Sequence, residues 1–444
     1  MPRRTEPPAD MLPVEEALAR ILDLVREMPA ELRPIREATG QVLAADVVAP
    51  FDIPPHDNTA MDGYAVQAAD TAPAGADVDG EGAAELRVIG ELAAGYVYEG
   101  AVGPGEAVRI MTGAPMPSGA DSIVPFEETD ETGLQAPGQS ADAGQRSVRV
   151  LKAARPGANI RRRGEDVRQG ALILTRGLVL RGAEIAVLAS MGIGAVSVVR
   201  RPRVAILSTG DELLTPGASA EGEPPAPGKI YDSNAYGLAA LVEEYGGVPV
   251  LSGIASDTVP ALTAKIAEAV AAADMVVTSA GVSRGDFDVV KEVLAQEGEV
   301  RFWTVRMKPG KPLAFGRFSA ADGRAVPHIG LPGNPVSSLL AFELFGRPAL
   351  FKMQGRQVQA RPVVTAVADE PIINTDARRV YARAIVDRAA DGRWHARLTG
   401  PQGSGVLTSM AYANGYAVCP AERERVAVGE EVEVLMVDWE HAPD

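Results

Sequence analysis

The chain has 444 residues, 46% of them hydrophobic, which suffices for several cores and suggests about three domains of roughly 150 residues each. Its net charge of −16 repels polyanions, which argues against non-specific binding to nucleic acid or to an anionic membrane while leaving room for local basic patches. One cysteine forbids an intrachain disulfide, four scattered histidines argue against zinc, and no run reaches the ~20 apolar residues of a membrane span; with no secretory pattern at the start, a cytoplasmic protein is expected.

In chain order, apolar residues from Val14 to Met28 recur at helical spacing and predict an amphipathic helix opened by Pro13. It would pack against a neighbouring domain or subunit. From Phe51 to Val150, short β-prone runs at Leu86–Ile89, Ala107–Ile110, Ser122–Phe126 and Ser147–Leu151 alternate with Gly/Pro/Asp turns, the texture of a small antiparallel β domain. Thr71 to Ala84 and Thr129 to Ser147 have the composition of mobile loops. From Arg203 to Phe351, buried-strand runs at Val204, Val248, Met275, Arg301 and Val326 alternate with helical patterns such as 259–272 and 288–296. This predicts a doubly wound α/β domain with a parallel sheet. Beyond Gln357 the runs at 361–367, 381–386 and 431–437 predict a second, barrel-like β domain. Cys419, inside an apolar run, reads as a small buried hydrophobe.

In a doubly wound sheet, ligands bind beyond the carboxyl ends of the strands. The loops expected there are Ser208–Glu212, Ala255–Asp257, Ser279–Asp288, Lys308–Lys311 and Leu331–Ser338. Glycines bring backbone N–H groups close to an anion, and Lys308 and Lys311 add positive charge. Glu212, Asp257 and Asp288 would oppose an anion unless a hard cation such as Mg²⁺ lay between. Taken singly, each loop is more often an ordinary turn with a capping carboxylate; five at one edge favour a site. Gly281-Val-Ser283-Arg-Gly285 also matches a nucleophile elbow, leaving a serine hydrolase with Ser283 and His328 or His395 as a minor alternative. Three further polar clusters lie outside the sheet domain: Pro50–Ala65, Ile110–Pro117 and Asn159–Asp166, the last with three consecutive arginines suited to anions, though such a charge run is more often a solvated face.

Together, Asp57-Asn-Thr-Ala-Met-Asp-Gly-Tyr64, Met111-Thr-Gly-Ala-Pro115, Asn159-Ile-Arg-Arg-Arg-Gly-Glu-Asp166, Ser208-Thr-Gly-Asp-Glu-Leu213, Lys308-Pro-Gly-Lys-Pro312, Leu331-Pro-Gly-Asn-Pro-Val-Ser337 and Gln402-Gly-Ser404 resemble the molybdopterin molybdenumtransferase family, related to the C-terminal domain of gephyrin. The resemblance runs from about Pro13 to Val437. It implies a discontinuous N-terminal domain (12–50 and 152–198), an inserted β domain (51–151), a molybdopterin-binding α/β domain (199–356) and a C-terminal β domain (357–444). It also implies an elongated homodimer whose active cleft joins the sheet domain of one subunit to the amino-terminal domains of the other. The implied reaction inserts molybdenum from molybdate into adenylylated molybdopterin with release of AMP, with Mg²⁺ as cofactor and transient contact with the pathway's adenylyltransferase. Matching positions give Asp62, Thr112, Asp166 and Glu212 as catalytic, Arg161, Lys308, Lys311, Arg383 and Ser404 as substrate-binding, and Glu212, Asp257 and Asp288 as metal ligands. Ala280 departs from the glycine usual in the family. Two competing functions share parts of this pattern: a molybdopterin adenylyltransferase, which the sheet domain alone resembles, and a non-catalytic scaffold, which would not need the acidic loops.

Overall fold

The computed structural model describes residues 11–75, 82–131, 147–218, 223–281, 293–294, 296–357 and 360–438. Asp288, Ser283 and most of the helix expected over 288–296 lie outside them, as does much of the two loop-like stretches. The chain divides into two compact units, one of Met1–Ala44, Gly177–Gly182 and Ala195–Asp444, the other of Ala45–Arg176 and Ala183–Gly194.

The smaller unit is built on five strands: β1 (Gly63–Val66), β2 (Ala84–Leu92), β3 (Glu106–Ile110), β4 (Ser122–Pro125) and β5 (Ser147–Val150), in the order β4-β1-β3-β2-β5. β-Propensity points to four of these. An antiparallel sheet throughout is expected, whereas β2 and β3 run parallel. The strand that propensity misses is β1, all four of whose residues are buried. Tyr64 and Val66 pack on one face of the sheet and Ala65 on the other. A short strand covered on both faces shows no alternation, which is why this stretch reads as loop.

The larger unit begins with α1 (Val14–Leu24), which buries Val14, Ala17 and Ile21. The helix ends four residues earlier than the apolar spacing implies: Val25 is already extended, and Pro29 disfavours a helical conformation at Met28. The same face joins Phe345, Leu350 and Met353 in one core, so the helix packs on its own unit.

The central sheet contains β6 (Arg203–Thr209), β7 (Val248–Ala255), β8 (Met275–Ser279), β9 (Arg301–Thr304), β10 (Pro312–Ser319) and β11 (Ala325–Leu331), in the order β7-β6-β8-β11-β10-β9. β7, β6, β8 and β11 pair in parallel as expected. β10, which the apolar pattern does not reveal, runs antiparallel between β11 and β9. Helices α2 (Ser233–Glu244) and α3 (Val259–Ala272) contribute to two separate cores, built against alternate side chains of β6: Val204 and Ile206 with α2, Ala205 and Leu207 with α3. That is the two-faced arrangement of a doubly wound sheet. α4 (Pro335–Ala341) follows β11 after a tight turn.

The C-terminal strands β12 (Val363–Ala368), β13 (Arg379–Arg388), β14 (Trp394–Leu398), β15 (Gly415–Cys419) and β16 (Glu431–Met436) close on themselves in the order β13-β14-β12-β16-β15, with β15 returning to β13. Closure leaves no barrel edge strand to be protected. Cys419 is fully buried in its core, as its apolar surroundings imply. Met307–Lys308 pairs in parallel with Arg379–Val380 at the start of β13, tying the loop after β9 to the barrel.

Candidate active site

In the smaller unit, three clusters separated in sequence become one. Asn58–Thr59 pairs antiparallel with Ile160–Arg161, while Gly113 N–H donates to the Thr59 carbonyl and Thr59 N–H to the Ala114 carbonyl. Asp62 precedes β1, and Gly63 lets β1 lie against β4, since a Cβ there would sit 2.1 Å from the Val124 carbonyl oxygen. The Asp62 Oδ1 accepts from Thr112 N–H at 2.6 Å and from Thr112 Oγ1 at 2.8 Å. Those two bonds, backbone first, hold the Asp62 carboxyl below the usual carboxylate range against a small opposing effect of burial. Asp62 is thus an exposed, oriented carboxylate, fit to accept a proton or hydrogen bond at neutral pH and unfit to act as an acid.

The three arginines separate by role. Arg162 donates to Asp57 Oδ2 at 2.7 Å, while Arg163 donates its backbone N–H to Asp57 Oδ1 at 2.8 Å and its Nε to Asp52 Oδ2 at 2.5 Å. Both anchor this loop. The Arg161 side chain is exposed and has no ion pair among the described residues. Asp166 is likewise exposed and, among the described residues, carries no side-chain hydrogen bond.

In the larger unit, the loops beyond β6, β7, β8 and β11 meet where the strand order reverses. Glu212 and the turn Ala280–Gly281 line a cavity of about 670 Å³, together with Asn234, Gly333 and Asn334. Asp211 and Asp257 interlock: each backbone N–H points at the other's carboxylate, at 3.4 and 3.3 Å. Asp211, which no sequence motif singles out as functional, therefore holds the loops of Glu212 and Asp257 together. Glu212 itself has no hydrogen-bond partner in its carboxylate among the described residues. No group of three or more Asp, Glu, His or Cys side chains converges to metal-binding distance among the described residues. Ala280, where glycine is expected, has φ 78°. This left-handed conformation strains any residue with a Cβ.

A second cavity, of about 580 Å³, lies beside the first and shares Pro312 and Ser337 with it. Lys308, Lys311, Arg383 and Ser404 all line it, so four positions from three separate segments of the sequence come together. The lysines flank Gly310, whose φ of 101° turns the loop back. Lys311 has no ion-pair partner among the described residues. Arg383 is expected to supply an oxyanion contact, and in the fold its side chain already has partners within the protein. It is 1% exposed, and its guanidinium donates to Ser409 Oγ at 3.0 Å and to the carbonyls of Gln402, Pro401 and Gly403 at 3.0, 3.3 and 2.9 Å. Burial draws its pKa below the usual arginine value. These four hydrogen bonds brace the loop that presents Ser404. In return, Gln402 accepts from Arg383 N–H at 2.8 Å and donates to the Arg383 carbonyl at 3.2 Å.

The hydrolase reading loses its histidines. His328 is fully buried, hydrogen-bonded to Thr278 Oγ1 at 3.0 Å, and burial pulls its pKa down to about 3. His395 sits on the barrel between Asp369 and Asp391.

Residues 12–192 match the family described as MoeA N-terminal region (domain I and II), residues 205–352 the probable molybdopterin binding domain, and residues 365–437 the MoeA C-terminal region (domain IV). The chain is 37% identical over 400 residues to a molybdopterin molybdenumtransferase of Nostoc sp., covering 89% of this chain and 86% of that protein. It is also 37% identical over 399 residues to molybdopterin molybdenumtransferase 2 of Mycobacterium tuberculosis, covering 88% and 91%. A crystal structure of the molybdopterin biosynthesis moeA protein from Pyrococcus horikoshii superposes with a TM-score of 0.73 at 31% identity, covering 96% of this chain and 100% of that one.

Proposed function

The chain belongs to the molybdopterin molybdenumtransferase family and is a transferase that inserts molybdenum in cofactor biosynthesis, and from that premise we propose that molybdate is the metal donor, adenylylated molybdopterin the acceptor, and AMP the leaving product. The observation that carries the reading is the pair of adjoining cavities of the larger unit, one flanked by lysines and the other by Glu212, whose carboxylate has no partner among the described residues.

The lysine cavity takes the oxyanion. Lys308 and Lys311 provide two positive charges, and the Ser404 loop, braced by Arg383, provides polar contacts beside them. The glutamate cavity takes the adenylylated pterin at the carboxyl edge of the sheet. The two thiols of its dithiolene form two Mo–S bonds and give up two protons, which carry one oxo group away as water, while a water molecule is consumed in hydrolysis of the adenylate linkage, releasing AMP. In the smaller unit, Arg161, exposed and without an ion pair among the described residues, is suited to bind a phosphate, and Asp62, ionised and oriented by Thr112, to receive a proton from a water molecule. Asp166 assists by orienting that water.

The acidic residues suit Mg²⁺ chemically: carboxylate oxygens are hard ligands, Glu212 lacks a competing partner among the described residues, and Mg²⁺ is commonly held by one or two carboxylates with substrate phosphates and water completing its shell. Glu212 and Asp257, with Asp288, would hold the ion, which when bound neutralises charge on the phosphoryl oxygens. The enzyme works as a homodimer in the cytoplasm and takes its pterin from the adenylyltransferase that precedes it.

The test incubates the protein with adenylylated molybdopterin, Mg²⁺ and molybdate and measures AMP release and molybdenum incorporation. Glu212→Ala should abolish both with an unchanged circular dichroism spectrum; Arg161→Gln should raise the KM for the pterin at least tenfold, whereas Arg162→Gln should act on thermal stability. Full activity of Glu212→Ala refutes the assignment. ATP-dependent adenylylation of the pterin without molybdate consumption would instead identify an adenylyltransferase.

A further inference from the structure

Behind Lys308, outside the cavity wall, stands Asp376. Its Oδ2 accepts from Arg378 Nε at 3.0 Å, and Arg378 Nη1 donates in turn to the carbonyl of Met307 at 3.1 Å. The carboxylate is thus anchored to the residue preceding Lys308 through a charged bridge. The same Oδ2 lies 3.9 Å from Lys308 Nζ, beyond hydrogen-bond distance but well within Coulombic reach. The other oxygen, Oδ1, is buried with no hydrogen-bond partner among the described residues. The Lys308 side chain remains 41% exposed, so this is a loose pair rather than a closed bridge. Lys311, on the far side of the same turn, has no such counter-charge among the described residues.

A fixed negative charge beside one of two oxyanion-binding lysines opposes any anion that enters. An enzyme that must hand its oxyanion on gains nothing from holding it too firmly, because tight ground-state binding raises the barrier to the next step. We propose that Asp376 is a positioning residue that acts through Lys308: as a built-in counter-anion beside its ammonium, it weakens the lysine's hold on the oxyanion so that the oxyanion is released to the pterin. This rests on the lysine cavity being the oxyanion site. A dianion seated at Lys308 lies roughly 6–7 Å from Asp376; at that separation, across solvent of water-like dielectric, the repulsion corresponds to roughly threefold in affinity with ~0.1 M salt and roughly ninefold without it.

The experiment is calorimetric titration of the full-length protein with sodium molybdate, for the wild type, Asp376→Asn, Asp376→Glu and Lys308→Ala, at low and at about 0.5 M added salt. Asparagine keeps the shape and a hydrogen bond to Arg378 while removing the charge. It should bind molybdate roughly threefold to ninefold more tightly at low salt, with the gain shrinking at high salt, and Asp376→Glu should bind as the wild type does. In turnover, Asp376→Asn should lower the KM for molybdate and leave the KM for the pterin unchanged, a split that a merely structural role does not produce. Unchanged or weaker molybdate binding by a folded Asp376→Asn overturns the inference alone, provided Lys308→Ala still loses binding. If neither the wild type nor any variant binds molybdate in the cavity, the oxyanion assignment falls and the inference with it.

Discussion

Replacing Arg383 by alanine separates a residue that shapes the site from one that grips the substrate. Its side chain donates four hydrogen bonds, to Ser409 Oγ and to the carbonyls of Pro401, Gln402 and Gly403. Pro401 and Gly403 are exposed, so water can replace the guanidinium at their carbonyls. Ser409 is 1% exposed and Gln402 only partly exposed, so those two acceptors are the costly ones. A buried acceptor deprived of a charged donor costs ~1.5 kcal/mol, and two of them give about 3 kcal/mol before any cavity is counted. Lysine, whose compact ammonium cannot span four acceptors, should recover about half. The assay is native-state hydrogen exchange of the amides of β13, with molybdate binding measured on the same samples. Arg383→Ala should lower the opening free energy of β13 by about 3 kcal/mol and weaken molybdate binding as a consequence. An opening free energy within about 1 kcal/mol of wild type, combined with complete loss of binding, would show that the guanidinium meets the oxyanion itself.

Ala280→Gly should stabilise the protein by about 0.5–1 kcal/mol, because φ 78° strains alanine and not glycine; a fall in the thermal midpoint contradicts this. Thr112→Val removes the hydroxyl donor but keeps the N–H, so the Asp62 pKa should rise towards its ordinary value and the turnover rate should fall roughly tenfold, an effect of about 1.4 kcal/mol. Since the folded-state pKa of Asp62 is depressed, its contribution to stability is complete above the unfolded value of 3.8 and is lost as pH falls through the lower folded value. Carbon-13 NMR of the Asp62 carboxyl should therefore show no titration between about pH 5 and 9; a midpoint in that window contradicts the assignment.

Much of this architecture is legible before folding. The alternation of apolar strands and helical stretches after Arg203 announces the doubly wound sheet, and its loops carry the glycines, lysines and carboxylates that gather at its edge. What escapes is whatever depends on partners distant in sequence. β1 is hidden because both its faces are covered, and β10 because its central run is buried without alternation between two strands. The roles of Arg161, Arg162 and Arg163 are indistinguishable as a charge run; they diverge only because Asp52 and Asp57, about a hundred residues earlier, claim two of them. Arg383 shows a different limit: a motif can say that a residue belongs to a site without showing its partners in the fold, here Ser409 and three backbone carbonyls. Asp376 lies outside every motif, and only the fold brings its carboxylate beside Lys308.

The short parallel pairing of Met307–Lys308 with Arg379–Val380 joins a residue of the sheet domain to the first hydrogen bonds of the barrel. Whatever steadies Lys308 therefore steadies β13, and by linkage whatever loosens the barrel slackens the lysine. Occupancy of the cavity is in this way recorded in the melting of a domain whose own strands carry none of the lysines, so that barrel substitutions remote from the cavity can act as affinity mutations without touching a ligand.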